Sequence, residues 1–381
     1  FSQLKTIVIG CDDDGSTSGN VFVYVGTKQS TGNTIERAGL TNGQFYGVAI
    51  TGTTNNAESA TLVLGANGVR RESAPFTMYN FGDVTNIQGS TTAGIPGIQE
   101  IGDQNNVVGL NRMEDGAWDT TNPNRFIFLT TASVGVPSRI WALDFTDITQ
   151  PELGGTLTML GDGQDASSFA GGLISYPTQD RCSSVNANGS ARTMEMADNM
   201  CTYVGADGVT RVLIQEDVGG NARLGRLWMY DTASDGIVDI GVNNVTLFGS
   251  TAWPNGALVT NFTTLDEETS GILDASEALG RGWFIMNMQA HYNIPGQLVQ
   301  GGQVMSVFIP ENISNPTLCN YDYNRDENVD LTDAQQMAQV FVGLLAREAN
   351  WLDGDLNRDN NADLTDAQIL ANFVVTGNCQ L

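Results

Sequence analysis

From residue 1 to about 310 the chain is written in short apolar runs, each closed by Gly, Asn or Asp. The clearest are KTIVIG, GNVFVYVGTK, NRFIFLTTAS, SRIWALDF, RVLIQED, GRLWMYDT, GWFIMNMQA and GQVMSVFIP. Alternation inside them, as in Val21-Phe22-Val23-Tyr24-Val25, predicts strands buried on one or both faces. SRIWALDF and GRLWMYDT are near-copies, each followed by a polar turn and another short strand. A recurring four-strand meander predicts a β-propeller, here with six blades; a β-sandwich is the alternative, and three hundred residues is long for one. The stretch 51–110 is the least regular and is expected to be an insertion.

Near the C-terminus the period changes. Met337, Val340, Phe341 and Leu344, then Ile369, Leu370, Phe373 and Val374, recur at helical spacing. Each set follows a copy of one acidic phrase, DYNRDENVDLTDAQ and DLNRDNNADLTDAQ. Calcium is a hard cation that takes six to eight oxygens, and a twelve-residue loop supplies them from positions 1, 3, 5, 7, 9 and 12. The first copy places Asp322, Asn324, Asp326, Asn328, Asp330 and Asp333 there; the second places Asp355, Asn357, Asp359, Asn361, Asp363 and Asp366. Asn328 and Asn361 would act through their backbone carbonyls. The bland alternative is a pair of acidic, solvated helix caps. The domain plan is therefore a mostly β propeller over 1–312 and a small α-helical, double EF-hand-type calcium domain over 313–381.

Loop then helix, twice, with no obvious helix before the first loop, resembles the dockerin module of cellulosome-type assemblies over about 320–379. The resemblance implies two bound Ca2+ ions and a protein partner, a second copy of this chain included. The sixth loop positions are Glu327 and Asn360 where Gly is usual, and Leu331-Thr332 and Leu364-Thr365 stand where dockerins carry partner recognition.

Charge narrows the partners. Seventeen Lys+Arg face 43 Asp+Glu, for a net charge of -26 and a pI near 4.1. Repulsion makes nucleic acid and anionic lipid poor partners and divalent cations good ones. No run approaches the roughly 20 apolar residues of a membrane span. The start at Phe1 without Met reads as a removed export signal, and five cysteines without a CxxC pattern read as disulfides in an extracellular or cell-surface setting. Cys319 with Cys379 and Cys182 with Cys201 are the expected pairs, leaving Cys11; Asn188, Asn244, Asn261 and Asn312 begin glycan sequons.

Several phrases resemble the propeller-type, calcium-dependent alkaline phosphatases of the PhoX type: NVFVYVGTKQSTGNTIERAGLTNGQFYGV, RMEDGAWD, LIQEDVGGNARLGRLWMYD, and DEETSGILDASEALGRGWFIMNMQAHY before LVQGGQVMSV. The resemblance implies metal-facing carboxylates at Glu114 and Asp115, at Glu216 and Asp217, and at Asp266, Glu267 and Glu268, with further metal in the propeller. Phosphate-ester hydrolysis needs cations to neutralise phosphoryl oxygens and acidify an attacking water, and Arg112 or Arg139 would add bidentate phosphate contacts. The Trp-x-Thr-Cys-Glu-Glu segment of those phosphatases is absent; Cys11 in IGCDDDG is the nearest counterpart. Asp12-Asp13-Asp14 is either a further calcium site or a solvated loop.

His291 is the only histidine, too few for a multi-His metal site; it is an acid–base group, a lone ligand or a satisfied structural imidazole. No GxSxG or GxxxxGK[ST] motif occurs. The expected function is a secreted calcium-binding propeller whose dockerin-like module mediates extracellular assembly, as the repeating unit of a filament or surface structure. The alternative is a metal-dependent phosphatase or phytase-like phosphoesterase tethered through that module, with Glu114, Asp115, Glu216, Asp217, Glu267 and His291 as its catalytic candidates.

Overall fold

The computed structural model describes residues 4–11, 19–51, 58, 73–89, 92, 94–133, 136–163, 194–217, 225–233, 236–243, 264, 266–298, 300–309, 323, 331–346 and 363–376. It is mostly β and divides into two compact units, 1–163 with 195–202, and 164–194 with 203–381.

The first unit carries β1 (Lys5–Cys11), β2 (Gly19–Thr27), α1 (Thr34–Arg37), β3 (Gln44–Ile50), β4 (Ser73–Asn80), α2 (Ile98–Gln104), β5 (Gly109–Leu110), β6 (Met113–Trp118), β7 (Arg125–Thr130), β8 (Arg139–Phe145) and β9 (Gly155–Asp162). Two antiparallel meanders, β1-β2-β3-β4 and β6-β7-β8-β9, join through β4 and β9 into one sheet, with β5 paired to β2. The two ends of the order, β1 and β6, touch, so the sheet is a nearly closed barrel.

Period-two alternation fills that barrel. Ile7, Ile9 and Cys11 turn inward from β1 while Val8 is exposed, and Val21, Val23 and Val25 do the same from β2. On β8 Trp141, Leu143 and Phe145 join this core, and Ile140 and Ala142 are buried as well. One glycine is indispensable: a Cβ on Gly26 would stand 1.9 Å from the carbonyl oxygen of Gly39. The stretch 51–110, expected to be an insertion, supplies β4 to the sheet and α2 beside β2.

In the second unit β11 (Thr210–Glu216), β12 (Arg226–Asp231) and β13 (Gly236–Val242) form successive antiparallel pairs, as do β14 (Glu267–Asp274), β15 (Trp283–Asn293) and β16 (Gln300–Phe308). The boundary between the units falls inside β10 (Ala197–Val204). A short helix, α3 (Ser276–Leu279), links β14 to β15.

The C-terminal helices are α4 (Leu331–Phe341) and α5 (Leu364–Thr376). Met337, Ala334, Ile369, Leu370 and Ala367 close one cluster with Tyr323, and Val340, Phe341 and Val374 pack on it. Leu344, expected on the apolar face of the first helix, is instead 79% exposed and lies beyond its end. Gly343 at φ +73° stops that helix: its N–H bonds the Val340 carbonyl, and the Leu344 N–H bonds the Gln339 carbonyl. This is the Schellman arrangement, which only a residue at ease with positive φ completes cheaply. The side chain of Phe373 and the expected domain boundary at 312/313 lie outside the described residues.

Candidate functional site

Four of the six catalytic candidates come together in the second unit. An antiparallel bridge between Asp217 and Glu268 sets the end of β11 against the start of β14. Glu216 and Glu267 are both interior, at 0% and 1% exposure. Glu216 Oε2 accepts the Arg226 N–H at 2.9 Å and Glu267 Oε1 accepts the Gly225 N–H at 3.1 Å. Thr269 Oγ1 adds a 3.1 Å bond to the Glu216 carbonyl. Burial pushes the Glu267 carboxyl up to about 7, against the pull of the Gly225 N–H.

Strand alternation sends the next residue the other way. Glu268 Oε2 accepts from Gln289 Nε2 at 2.7 Å and lies 3.6 Å from His291 Nε2. His291 Nδ1 is 2.8 Å from Gln300 Oε1 and its Nε2 is 2.9 Å from Gln289 Nε2. With Gln289 donating to Nε2, the imidazole carries its proton on Nδ1 and gives it to Gln300. The His291 N–H bonds the Asp266 carbonyl at 3.0 Å. The Gln300 hydrogen bond, and then the Asp266 and Glu268 charges, raise the affinity of the ring for a proton. His291 is thus a partly exposed imidazole with both ring nitrogens engaged and the Glu268 carboxylate beside it.

Glu114 and Asp115 lie on β6 in the first unit. Arg112 is 3.5 Å from Glu114 and donates to the Ala132 carbonyl at 3.0 Å. Asp115 Oδ1 accepts its neighbour Gly116 N–H at 2.7 Å, and Oδ2 accepts the Met200 N–H at 2.9 Å. The Cys11 thiol is pushed up to about 12 by burial and by the charges of Asp115 and Glu114. Arg139, expected to contact phosphate, is engaged by Glu58, an interior residue that also accepts the Asn111 N–H at 2.7 Å. No pattern in the sequence points to Glu58; a fold-dependent pair separated by 81 positions leaves no local signal.

Of the twelve calcium-loop positions, Asp333, Asp363 and Asp366 are described; Asp322, Asn324, Asp326, Asn328, Asp330, Asp355, Asn357, Asp359 and Asn361 lie outside the described residues. Asp333 and Asp366 occupy the third position of α4 and α5 and are both 0% exposed. Asp363 Oδ1 accepts the Thr365 N–H at 2.7 Å, while Asp366 Oδ2 accepts the Asp363 N–H at 2.8 Å. That reciprocal cap closes the first turn of α5. The donor set fits calcium. Among the described residues no three His, Cys, Asp or Glu side chains gather as they would around a metal. Asp12-Asp13-Asp14, Cys182, Cys319, Cys379 and the four sequons lie outside the described residues. No helix among the described residues is long and apolar enough to cross a membrane.

No family model and no curated protein matches the chain. Among solved structures it is similar to Pseudomonas fluorescens PhoX in complex with vanadate, a transition state analogue, at 12% identity and TM-score 0.49, over 81% of this chain and 51% of that one. It is also similar to an exo-β-1,3-galactanase from Clostridium thermocellum, at 11% identity and TM-score 0.27, over 81% and 58%. A third is the β-propeller domain of the Trilobed protease from Pyrococcus furiosus, at 10% identity and TM-score 0.21, over 81% and 59%. The chain spans between half and three fifths of the length of these structures. The similarity to PhoX is weak, and activity and partners rest on this chain's own residues.

Proposed function

We propose that the chain is a secreted, calcium-binding β-propeller whose C-terminal loop–helix pair is a dockerin-like module that joins it to another protein, a second copy of itself included, in an extracellular assembly. One observation carries the reading: Asp333 and Asp366, in identical places of the repeated phrase, are both fully buried at the start of helices that share one apolar cluster. A buried carboxylate is costly unless hydrogen bonds and a cation hold it, and a loop of oxygen donors ending at each aspartate is the place for that cation. Calcium would order both loops against the helix pair and so fix the docking surface.

Sedimentation velocity in calcium and after chelation tests this. Assemblies that dissociate on chelation, and that Asp333→Ala with Asp366→Ala prevents, support it; a sedimentation profile indifferent to both refutes it.

A second reading, a metal-dependent phosphoesterase, is favoured by the interior Glu267 carboxyl, pushed up to about 7, on a strand whose next residue, Glu268, lies beside His291. Phosphatase turnover in calcium that Glu216→Gln and Glu114→Gln abolish would establish it, and a wild-type protein without turnover ends it.

A further inference from the structure

A cleft of about 670 Å³ opens in the first unit where the two edge strands of the barrel approach, β1 at Thr6 and Ile7 and β6 at Trp118. The volume lies in the range of small-molecule sites. Its apolar wall is Trp118 with Ile7, Pro123 and Ile148. The indole is fixed before any ligand arrives: Phe126 meets it edge-on at 5.3 Å and Phe145 lies tilted at 6.1 Å.

The polar side of the cleft carries both signs in equal number, Lys5 and Lys28 against Asp119 and Asp147. Each acid is pinned by its own turn. Asp119 Oδ1 accepts the Thr121 N–H at 2.8 Å and the Asn122 N–H at 3.1 Å, and Asp147 Oδ1 accepts the Thr149 N–H at 2.9 Å. Asn124 is oriented by the Ile148 N–H at 3.0 Å on its Oδ1, which leaves the Nδ2 donor for a ligand. Lys5 is held by Glu152 at 3.0 Å, whereas the Lys28 ammonium makes no ion pair among the described residues.

We infer that this cleft binds a neutral saccharide, one or two pyranose units of a glycan. Donors and acceptors stand interleaved beside a rigid indole, and the match is a ligand whose every polar group both donates and accepts and whose ring presents an apolar C–H face. An anion would meet Asp119 and Asp147 with Lys5 already paired to Glu152, and a cation would meet the Lys28 ammonium. The proposal is independent of the assembly reading, because the cleft and the calcium loops lie in different units.

The test is saturation-transfer NMR and calorimetry on the full chain with a panel of neutral oligosaccharides (gluco-, galacto-, manno- and xylo-configured), with phenylacetate and choline as charged controls. At least one oligosaccharide is expected to bind, with affinity lowered tenfold or more by Lys28→Ala and lost in Trp118→Ala. Lys28 is at the surface, so its variant keeps the test valid if Trp118→Ala does not fold. A panel with no binder, binding unchanged in Lys28→Ala, or preferential binding of either charged control would overturn the inference.

Discussion

Glu216 and Glu267 accept hydrogen bonds from consecutive backbone N–H groups, those of Arg226 and Gly225 at the start of β12. The two strands that end and begin at these glutamates are thereby anchored to the same point of a third. Of the two, the Glu267 carboxyl makes the second unit sensitive to pH.

Glu267 titrates near 4.5 when unfolded and near 7 in the fold, so the folded state holds the proton more tightly. Its stabilising contribution is complete below about pH 4.5, fades as pH rises toward 7 and is absent above it, a range of about 3 kcal/mol. Urea unfolding at pH 5 and pH 8 should show this loss in the wild type and a much flatter profile in Glu267→Gln, where the amide oxygen still accepts the Gly225 N–H.

His291 acts in the same direction by a different route. Its folded affinity for a proton is raised by Gln300, Asp266 and Glu268, so it stabilises below its unfolded value of 6.5 and that contribution is lost as pH climbs through the folded one. NMR titration of the single imidazole should give a midpoint above 6.5, moving down in Gln300→Ala. A midpoint at or below 6.5 contradicts the hydrogen-bond assignment.

Glu58 and Arg139 form an ion pair whose side chains are 5% and 14% exposed. Removing one partner leaves a buried charge, so Glu58→Ala should cost roughly 3 kcal/mol of unfolding free energy. A loss below about 1 kcal/mol would place the pair among surface bridges.

Gly343→Ala meets no atom within 4 Å, so its cost is purely that of positive φ, about 1 kcal/mol. Hydrogen exchange should show faster opening of the last turn of α4 while α5 is unchanged.

All eight apolar runs read from the sequence are strands: β1 and β15 alternate over one buried face, while β7, β8, β11 and β12 are short runs buried on both. The strands it missed carry misleading residues. β4 contains Pro75, which argues against an interior strand, yet β3 pairs with it only from Phe76 to Asn80 and β9 only from Ser73 to Phe76. β14 opens on two glutamates, one of which accepts the Gly225 N–H inside the fold. The joining of two meanders through β4 and β9 is a long-range pairing that no local pattern encodes. At the site, the clustering of Glu216, Asp217, Glu267 and His291 follows residues named from the sequence; the backbone donors that hold them needed the strand register.

The calcium loops are the centre of the account, and calorimetric titration of the chelator-stripped full chain with calcium tests them most directly. The prediction is two bound ions in the wild type, one in Asp333→Ala and one in Asp366→Ala, with slowed hydrogen exchange across Leu331–Phe341 and Leu364–Thr376 on binding. A titration without binding, or two ions bound regardless of both substitutions, would contradict it.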